Sequence, residues 1–350
     1  MHGESDYKMA KRISVIIPCY NVSKYIDRCF KSIIDQTIGI DMLEVIMIDD
    51  ASTDDTWDKL TEYEKNFPEN VMIIHLDNNS RQGTARNIGL KYASCDYVLF
   101  VDADDWIESA MIEKLYAEIT DEDVDFSMCY YGRTASDFQV SIEPVIPKHY
   151  LIDNDEKRRT FITCMSIGTS PCAKLYRTSF LIDNDIWFAE GVSYEDHVFI
   201  ALVYLYATKF VIIGECLYYY YVNDQSTVNK INSQRHYDVV EADKISWNEC
   251  SNRGFVDKFR NELEYYFLQV GFLAPLRNVL NKFSEVPMDL FELIKNETLI
   301  RIPDYKSNPY LDEYMTQINK ILLGLLDTDV TLTELTQILD AVEKYTESVN

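Results

Sequence analysis

The first hundred residues alternate four times between a short apolar run and a segment with helical spacing. The apolar runs cover residues 13–17, 43–48, 71–76 and 97–101. Short buried runs that alternate with helices predict parallel strands whose sheet is covered by helices on both faces. The first run stops at Pro18, so we expect its strand to end there. The predicted fold class is therefore α/β with a mostly parallel sheet.

Polar side chains follow three of these four runs at the point where the predicted strand ends. They are Asn21 after the first run, Asp49 and Asp50 after the second, and Asp102, Asp104 and Asp105 after the fourth. Ligands of open parallel sheets bind in the crevice outside the carboxyl ends of the strands. We therefore expect these side chains to converge on one rim and to form a binding site.

Each of these polar groups has a functional and a structural interpretation. Asp102 and Asp104 would point to the same side of an extended segment and could share a hard divalent cation with a diphosphate, or they close a solvated turn. Asp49 and Asp50 could accept hydrogen bonds from a nucleobase or ribose, or could stabilise a helix start. Arg86 could bind phosphate with its guanidinium, or pair with one of the strand-end carboxylates.

The remainder of the chain has a mixed pattern up to residue 230 and a helical pattern from about 236. Residues 125–131, 210–213 and 217–222 are predicted strands, and alternation along the last would bury half of the tyrosines at 218–221. Glu195 and Asp196 begin an apolar helix, where an acid is either a general base or an ordinary helix-start residue. We predict a domain over residues 1–230, with halves 12–105 and 106–230, and a helical domain over 231–350. Those helices complete the core or form a homodimer interface.

The composition of the chain limits which binding partners and which cellular compartment we expect. The chain has 33 basic and 58 acidic residues and a net charge of −25, which disfavours nucleic acid as a partner. The eight cysteines include no C-x-x-C pair, so we expect reduced, mostly buried thiols in a cytoplasmic protein. The N-terminus lacks an apolar signal core, and the apolar stretch at 198–208 is too short to span a bilayer. Peripheral association with the inner face of the cell membrane stays open.

Several motifs of common enzyme classes are missing from the sequence. It contains no G-x-G-x-x-G, no P-loop, no H-E-x-x-H and no G-x-S-x-G. Dinucleotide-binding Rossmann domains, P-loop proteins and the common zinc-protease and serine-hydrolase classes are thus excluded.

Five ordered segments resemble glycosyltransferase family 2, whose members have the GT-A fold. They are ISVIIPCYN, QT, EVIMIDDASTDDT, ARNIG and DYVLFVDADDW. The later segments GTSPCAKLYRTSF, YEDHVF and YYYYVNDQST are similar to the acceptor-side half of that family. Together they cover about residues 12–228, and the helical C-terminal third lies outside the resemblance.

The resemblance implies an activity and its cofactor. Members transfer a sugar with inversion from a nucleoside-diphosphate sugar, here a UDP-sugar, to a hydroxyl of a glycan or of a lipid-linked or protein-linked acceptor, usually with Mn²⁺ or Mg²⁺. Polysaccharide biosynthesis is the implied context. A nucleotide sugar is an anion, and a chain as acidic as this one needs a local cation to bind it. A bound metal is the obvious candidate. A non-catalytic nucleotide-sugar-binding or scaffold protein of the same fold, and a nucleotidyltransferase, are the alternatives.

The resemblance also assigns roles by position. The implied donor-binding residues are Pro18, Tyr20 and Asn21 in the first nucleotide loop, Asp50 at the base, and Asp102 and Asp104. From the sequence pattern, Asp49 and Arg86 are predicted to join them. Asp104 is the implied metal ligand, to which Asp105 can add. Asp196 is the implied catalytic base, with Lys174 and Glu195 on the acceptor side. One departure is Val222, which stands where an Arg often follows the last aromatic residue.

Overall fold

The computed structural model describes residues 11–134, 146–222 and 230–349. The contacts among its residues divide the chain into two compact units, each made of three separate segments of the sequence. The first unit comprises Met1–Asp153, Ser170–Gly191 and Tyr206–Val222, and the second comprises Asn154–Thr169, Val192–Leu205 and Asn223–Asn350. The sequence prediction instead separates two domains at residue 230 and divides the first of them at residue 105.

The described part of the first unit is built on one nine-stranded sheet. Its strands are β1 (Ile13–Cys19), β2 (Leu43–Asp49), β3 (Val71–His75), β4 (Tyr97–Phe100), β5 (Trp106–Ile107), β6 (Phe126–Thr134), β7 (Lys148–Leu151), β8 (Lys174–Arg177) and β9 (Lys209–Tyr221). Their order is β3-β2-β1-β4-β8-β6-β9-β5, and β7 also pairs with β9. The pairs among β1 to β4 and the pair β6/β9 are parallel, and the others are antiparallel. The predicted α/β class is confirmed.

Helices supply the remaining elements of both units. The first unit holds α1 (Ile26–Ile34), α2 (Thr56–Asn66), α3 (Arg81–Tyr92), α4 (Met111–Asp121) and α6 (Thr178–Asp183). The second unit holds α5 (Asp155–Cys164), α7 (Asp196–Tyr206, all but its last residue), α8 (Asp238–Asn252), α9 (Phe255–Lys258), α10 (Arg260–Phe267), α11 (Ala274–Asn278), α12 (Met288–Arg301), α13 (Tyr310–Tyr314), α14 (Gln317–Leu323) and α15 (Leu332–Val349). A π-helical turn, Leu268–Leu273, joins α10 to α11.

Strand β1 lies inside the sheet and continues through Pro18 to Cys19, so the prediction that it ends at Pro18 was wrong. Its apolar residues are buried because β2 and β4 flank it and helices cover it. Proline is tolerated there because the ladder with β4 ends at Ile16. Beyond that residue, the missing N–H of Pro18 has no β4 neighbour to bond.

The eight cysteines are free thiols, and all but Cys164 are buried. Burial raises the pKa of the Cys19 and Cys29 thiols well above the usual range, so both stay protonated near neutral pH. The prediction that most of the thiols are buried is confirmed. In the described ranges, no helix combines the length and apolar character needed to cross a membrane.

Gly89 lets α3 lie directly on the central strands. A Cβ atom added there would collide with Ile16 Cγ2 and come within 2.9 Å of Ile48 Cδ1. We expect Gly89→Ala to lower the free energy of unfolding by about 1–3 kcal/mol, the usual cost of overpacking a core. Denaturant unfolding measures this change.

Gly324→Ala is the control for this substitution. Gly324 has a φ of −59°, and an added Cβ meets nothing within 4 Å. Its free energy of unfolding should change by less than about 1 kcal/mol. Equal midpoints for the two variants would show that α3 shifts without cost and would contradict the packing argument.

Candidate active site at the carboxyl ends of the strands

The register of the sheet brings the predicted strand-end clusters to one edge of the first unit. Cys19 pairs with Asp49, and Asp49 pairs in turn with His75. Strand β4 runs parallel to β1 on its other side and ends at Phe100, immediately before the acids at 102–105. The convergence that the sequence predicts is therefore present within the described sheet.

The loop after β1 is tied to the loop after β2 by Asn21. Its Oδ1 accepts the N–H of Thr53 at 2.7 Å, and its own N–H donates to Ser52 Oγ at 3.0 Å. Asn21 has a φ of +53°, a left-handed conformation that Asn tolerates better than most residues. Tyr20 is exposed beside it, whereas Pro18 is paired with Ile48 inside the sheet. Of the residues predicted for the first nucleotide loop, Tyr20 thus presents an exposed ring.

Asp50 is buried, and both of its carboxylate oxygens contact the start of α3. Oδ1 accepts the N–H of Ser80 at 2.6 Å and Oδ2 accepts the N–H of Arg81 at 2.8 Å. Because an anion is favoured where helix N–H groups lack partners, Asp50 stabilises this helix start. The helix-start interpretation of the sequence therefore holds for Asp50, although at α3 rather than at α2.

Asp49 is fully buried and pairs with a histidine that the sequence analysis missed. Its Oδ2 lies 2.7 Å from His75 Nδ1, and its Oδ1 is buried without a hydrogen-bond partner in the described residues. The partly exposed His75 ring packs beside Trp57, with 4.9 Å between the ring centroids. Because Asp49 is itself buried, His75 is the member of the pair that is exposed at the edge of the sheet. The sequence signal that could have identified His75 is its position as a polar residue at the end of β3.

Arg86 forms a buried ion pair with Asp102. Its Nη2 lies 2.6 Å from Asp102 Oδ1, with the arginine side chain 3% exposed and the aspartate 30% exposed. The guanidinium also lies 5.2 Å from the ring centroid of Phe188. Of the two interpretations of Arg86, the structure shows the pairing with a strand-end carboxylate. The ion pair therefore turns Oδ1 of Asp102 toward the buried guanidinium.

Asp102→Asn should therefore cost stability as well as ligand binding. The substitution replaces a charge-assisted hydrogen bond to a buried guanidinium with a neutral amide, which we expect to cost about 2–3 kcal/mol. Denaturant unfolding without ligand measures it. Asp121→Asn, at an exposed acid that ends α4, should change stability by less than about 0.5 kcal/mol. Identical midpoints for the two variants would show that the ion pair contributes nothing.

Asp105 is buried, unlike its neighbour Asp104, and both of its oxygens are bonded to β9. Oδ2 accepts the hydroxyl of Tyr218 at 2.6 Å and Oδ1 accepts the N–H of Tyr221 at 2.8 Å. Burial, with the charges of Asp102 and Asp104, raises the pKa of Asp105 well above its usual range. Asp105 is thus poorly placed for the metal-binding role that the resemblance implies.

A divalent cation fits this edge only if the ligand supplies part of its coordination. Over residues 11–134, 146–222 and 230–349, no three His, Cys, Asp or Glu side chains converge as a metal-binding group. Mg²⁺ is commonly held by one or two carboxylates together with substrate phosphates and water. Asp104, with Asp102 beside it, fits that arrangement.

Arg28 is a second cation at this edge that the sequence analysis missed. Its guanidinium lies 3.8 Å from the ring centroid of Trp106 and 4.5 Å from that of Tyr221, and Nη2 donates to the Asp104 carbonyl at 3.0 Å. One local signal for this contact was Trp106, which directly follows the acids and whose ring the guanidinium covers. With Arg86, Arg28 gives this acidic chain positive charge beside its carboxylates.

The predicted acceptor-side residues fall in both units. Lys174, in the first unit, is buried and donates from Nζ to the Ser170 carbonyl at 2.6 Å. In the second unit, buried Glu195 precedes half-buried Asp196, the first residue of α7. Tyr194 before them has a φ of +63°, a strained conformation of the kind that concentrates at functional sites.

The fold is of the GT-A type. The crystal structure of Staphylococcus aureus TarS 1–349 superimposes with a TM-score of 0.64 at 23% identity, over 95% of this chain and 91% of that one. The complex of TarS 1–349 with UDP-GlcNAc gives a TM-score of 0.56, over 86% and 91%.

Residues 14–183, just under half of the chain, match the family model Glycosyl transferase family 2, the family that the sequence motifs resemble. TarS, the poly(ribitol-phosphate) beta-N-acetylglucosaminyltransferase of S. aureus, is 32% identical over 217 residues, 60% of this chain. The glycosyltransferase GlyG of Streptococcus pneumoniae is 29% identical over 219 residues, 61% of this chain and 71% of GlyG. The match spans only 35% of TarS.

Proposed function

We propose that this protein is an inverting glycosyltransferase that moves a hexosyl or N-acetylhexosaminyl group from a UDP-sugar to a hydroxyl. The observation that carries the proposal is the edge of the sheet in the region that matches the family 2 model. Asp49, Asp102 and Asp104 lie there at the carboxyl ends of parallel strands, with Arg28 and Arg86 beside them. This edge combines acceptors for a nucleoside with positive charge for a diphosphate.

The proposed donor site divides its tasks among these residues. Asp49 and Asp50, at the end of β2, lie on the nucleobase side, and Asp102 lies on the ribose side. Asp104 would hold Mn²⁺ or Mg²⁺, which when bound neutralises charge that develops on the departing diphosphate. These contacts orient the donor, and orientation is a large part of the barrier reduction that enzymes achieve.

Asp196 is the proposed general base. An acceptor oxygen attacks the anomeric carbon on the face opposite the leaving group, so a new C–O bond forms as the bond to the diphosphate oxygen breaks. Asp196 takes the proton of the acceptor hydroxyl, and the nucleoside diphosphate leaves with the bonding electron pair. Atoms and charge balance without any further reactant.

The proposed acceptor is a polyol-phosphate or surface-glycan chain. TarS is named for poly(ribitol-phosphate), as is the Bacillus spizizenii poly(ribitol-phosphate) beta-glucosyltransferase, which is 29% identical over 67% of this chain and 37% of its own length. Association with a membrane surface, and with a second copy through the C-terminal helices, stay predictions.

A donor screen tests the activity. Purified protein receives UDP-, GDP- or dTDP-sugars with Mn²⁺, with and without EDTA, and release of the nucleoside diphosphate is measured with poly(ribitol phosphate) present or absent. We expect release from a UDP-sugar that EDTA suppresses and the polymer accelerates. NMR of the product should show an inverted anomeric centre.

The same assay separates the alternatives. A nucleotidyltransferase would release pyrophosphate from a nucleoside triphosphate instead of a nucleoside diphosphate from a sugar nucleotide. Silence with every donor, and no calorimetric binding of any nucleotide, would favour a scaffold role. Binding without turnover would point to a different acceptor.

A further inference from the structure

The segment Asp102–Trp106, here named the acidic loop, is fastened to the end of β9 by one tyrosine hydroxyl. The hydroxyl of Tyr218 accepts the N–H of Asp102 at 3.1 Å and donates to Asp105 Oδ2 at 2.6 Å. Tyr218 is 2% exposed, so water does not compete for these bonds. A single buried oxygen thus bonds to both the first and the third acid of the loop.

Asp105 completes this attachment. Its other oxygen accepts the N–H of Tyr221, so its carboxylate bridges two residues of β9. The antiparallel pairing of β5 with β9 places Trp106 opposite Tyr219 directly afterwards. The loop is therefore attached to β9 at Asp102, Asp105 and Trp106.

Arg28 holds the same loop from α1. Its guanidinium donates to the Asp104 carbonyl and lies against the rings of Trp106 and Tyr221. Tyr218 holds Asp102 by its main-chain N–H, and Arg28 holds Asp104 by its main-chain carbonyl. Asp105, in contrast, is held by its carboxylate. These contacts place the main chain of Asp102 and Asp104, from which both carboxylates extend, and Arg86 holds the Asp102 carboxylate itself.

We propose that Tyr218 is a positioning residue for the donor site, and that Asp105 acts through Tyr218 and not as a metal ligand. The inference rests on the proposed function, since it concerns how Asp102 and Asp104 are presented to the donor diphosphate. A displacement of about 1 Å in such a site can cost roughly a hundredfold in rate. Preorganisation by surrounding hydrogen bonds prevents that displacement.

Tyr218→Phe tests the role, with Tyr219→Phe as the matched control. Both tyrosines are 2% exposed on β9, but the Tyr219 hydroxyl donates to Glu108 at 2.9 Å, outside the acidic loop. We expect Tyr218→Phe to raise the donor KM and the half-saturating Mn²⁺ concentration by about tenfold or more, with kcat at saturation reduced less. Tyr219→Phe should stay within about threefold of the wild type.

Amide hydrogen exchange gives a readout that needs neither donor nor metal. In Tyr218→Phe the Asp102 N–H loses its acceptor, so its exchange should accelerate by about tenfold or more relative to both wild type and Tyr219→Phe. Unchanged exchange would overturn the attachment. Should Tyr218→Phe not fold, Asp105→Asn gives a second readout: exchange of the Asp102 N–H should accelerate there too if Asp105 acts through the Tyr218 hydroxyl, and unchanged exchange would overturn that role.

A double-mutant cycle decides the role of Asp105. If Asp105 acts through Tyr218, the Tyr218→Phe/Asp105→Asn protein should have a half-saturating Mn²⁺ concentration close to that of the worse single variant. If Asp105 is an independent metal ligand, the two fold-changes multiply and the proposal is overturned. An inactive wild type overturns the proposed function itself, whereas a Tyr218→Phe protein that matches an active wild type overturns only the positioning role.

Discussion

Asp196→Asn should reduce sugar transfer by about 10²–10⁴-fold while leaving donor affinity within about threefold. The amide cannot accept the proton of the acceptor hydroxyl, so the attacking oxygen remains a poor nucleophile. The donor contacts proposed for Asp102 and Asp104 are unchanged by the substitution. Turnover with saturating acceptor gives the first quantity, and calorimetric titration with the nucleoside diphosphate and Mn²⁺ gives the second.

Asp289→Asn is the matched control for this prediction. Asp289 is also an acid in the first turn of a helix of the second unit, where it accepts the hydroxyl of Tyr237. Its loss should leave turnover within about twofold, since it has no role in the proposed chemistry. An Asp196→Asn protein with wild-type turnover would refute the assignment of the base, and equal losses in both variants would indicate damage to the second unit.

Asp104→Ala should abolish the metal-dependent part of donor binding. We expect nucleoside-diphosphate affinity in Mn²⁺ to weaken by about 10–100-fold, or roughly 1.4–2.8 kcal/mol, and to approach the value that the wild type shows in EDTA. The reason is that Asp104 would hold the cation whose charge neutralises the diphosphate, and an alanine offers no oxygen ligand. Calorimetry with and without EDTA on both proteins measures the change.

Asp121→Ala controls for the loss of one negative charge from the first unit. Asp121 is exposed at the end of α4, so its removal should leave both affinities unchanged within about twofold. If Asp104→Ala retains the wild-type difference between Mn²⁺ and EDTA, the metal is held elsewhere or is not used. In that case the charge of Arg28 and Arg86 would have to serve the diphosphate alone.

Arg28 and Arg86 provide local positive charge in a chain whose composition is strongly acidic. A chain with a net charge of −25 needs local positive charge to bind an anionic sugar nucleotide, and the sequence offered a metal as the obvious source. The structure adds Arg86, paired with Asp102, and Arg28, stacked between two rings beside the Asp104 carbonyl. Both are on helices that pack beside the strand ends, which explains why no basic cluster is visible along the sequence.

The elements that sequence patterns predicted well are those that carry their own signal. The four apolar runs became β1 to β4, and the acids that end two of them lie at the predicted edge. Predictions that depended on pairing partners were less accurate. The two strands expected at 210–213 and 217–222 are one strand, β9, whose pairing with β6 continues through register shifts. Tyr218 and Tyr219 are both buried, against the expected alternation, because both faces of β9 are covered there.

The sequence by itself determined the α/β class, the family motifs and the positions of Asp102, Asp104 and Asp196 along the chain. Local composition and spacing carry that information, since an apolar run or an acid at a strand end has the same meaning wherever the rest of the chain lies. Only the tertiary structure decided that Asp50 caps α3, that Arg86 pairs with Asp102 and that Asp105 is bonded to Tyr218. Each of these contacts joins side chains separated by 16 to 113 residues, or a side chain to a main chain 30 or 31 residues away. Their partners are set by strand order and register, because only the folded sheet brings such distant residues within hydrogen-bond distance.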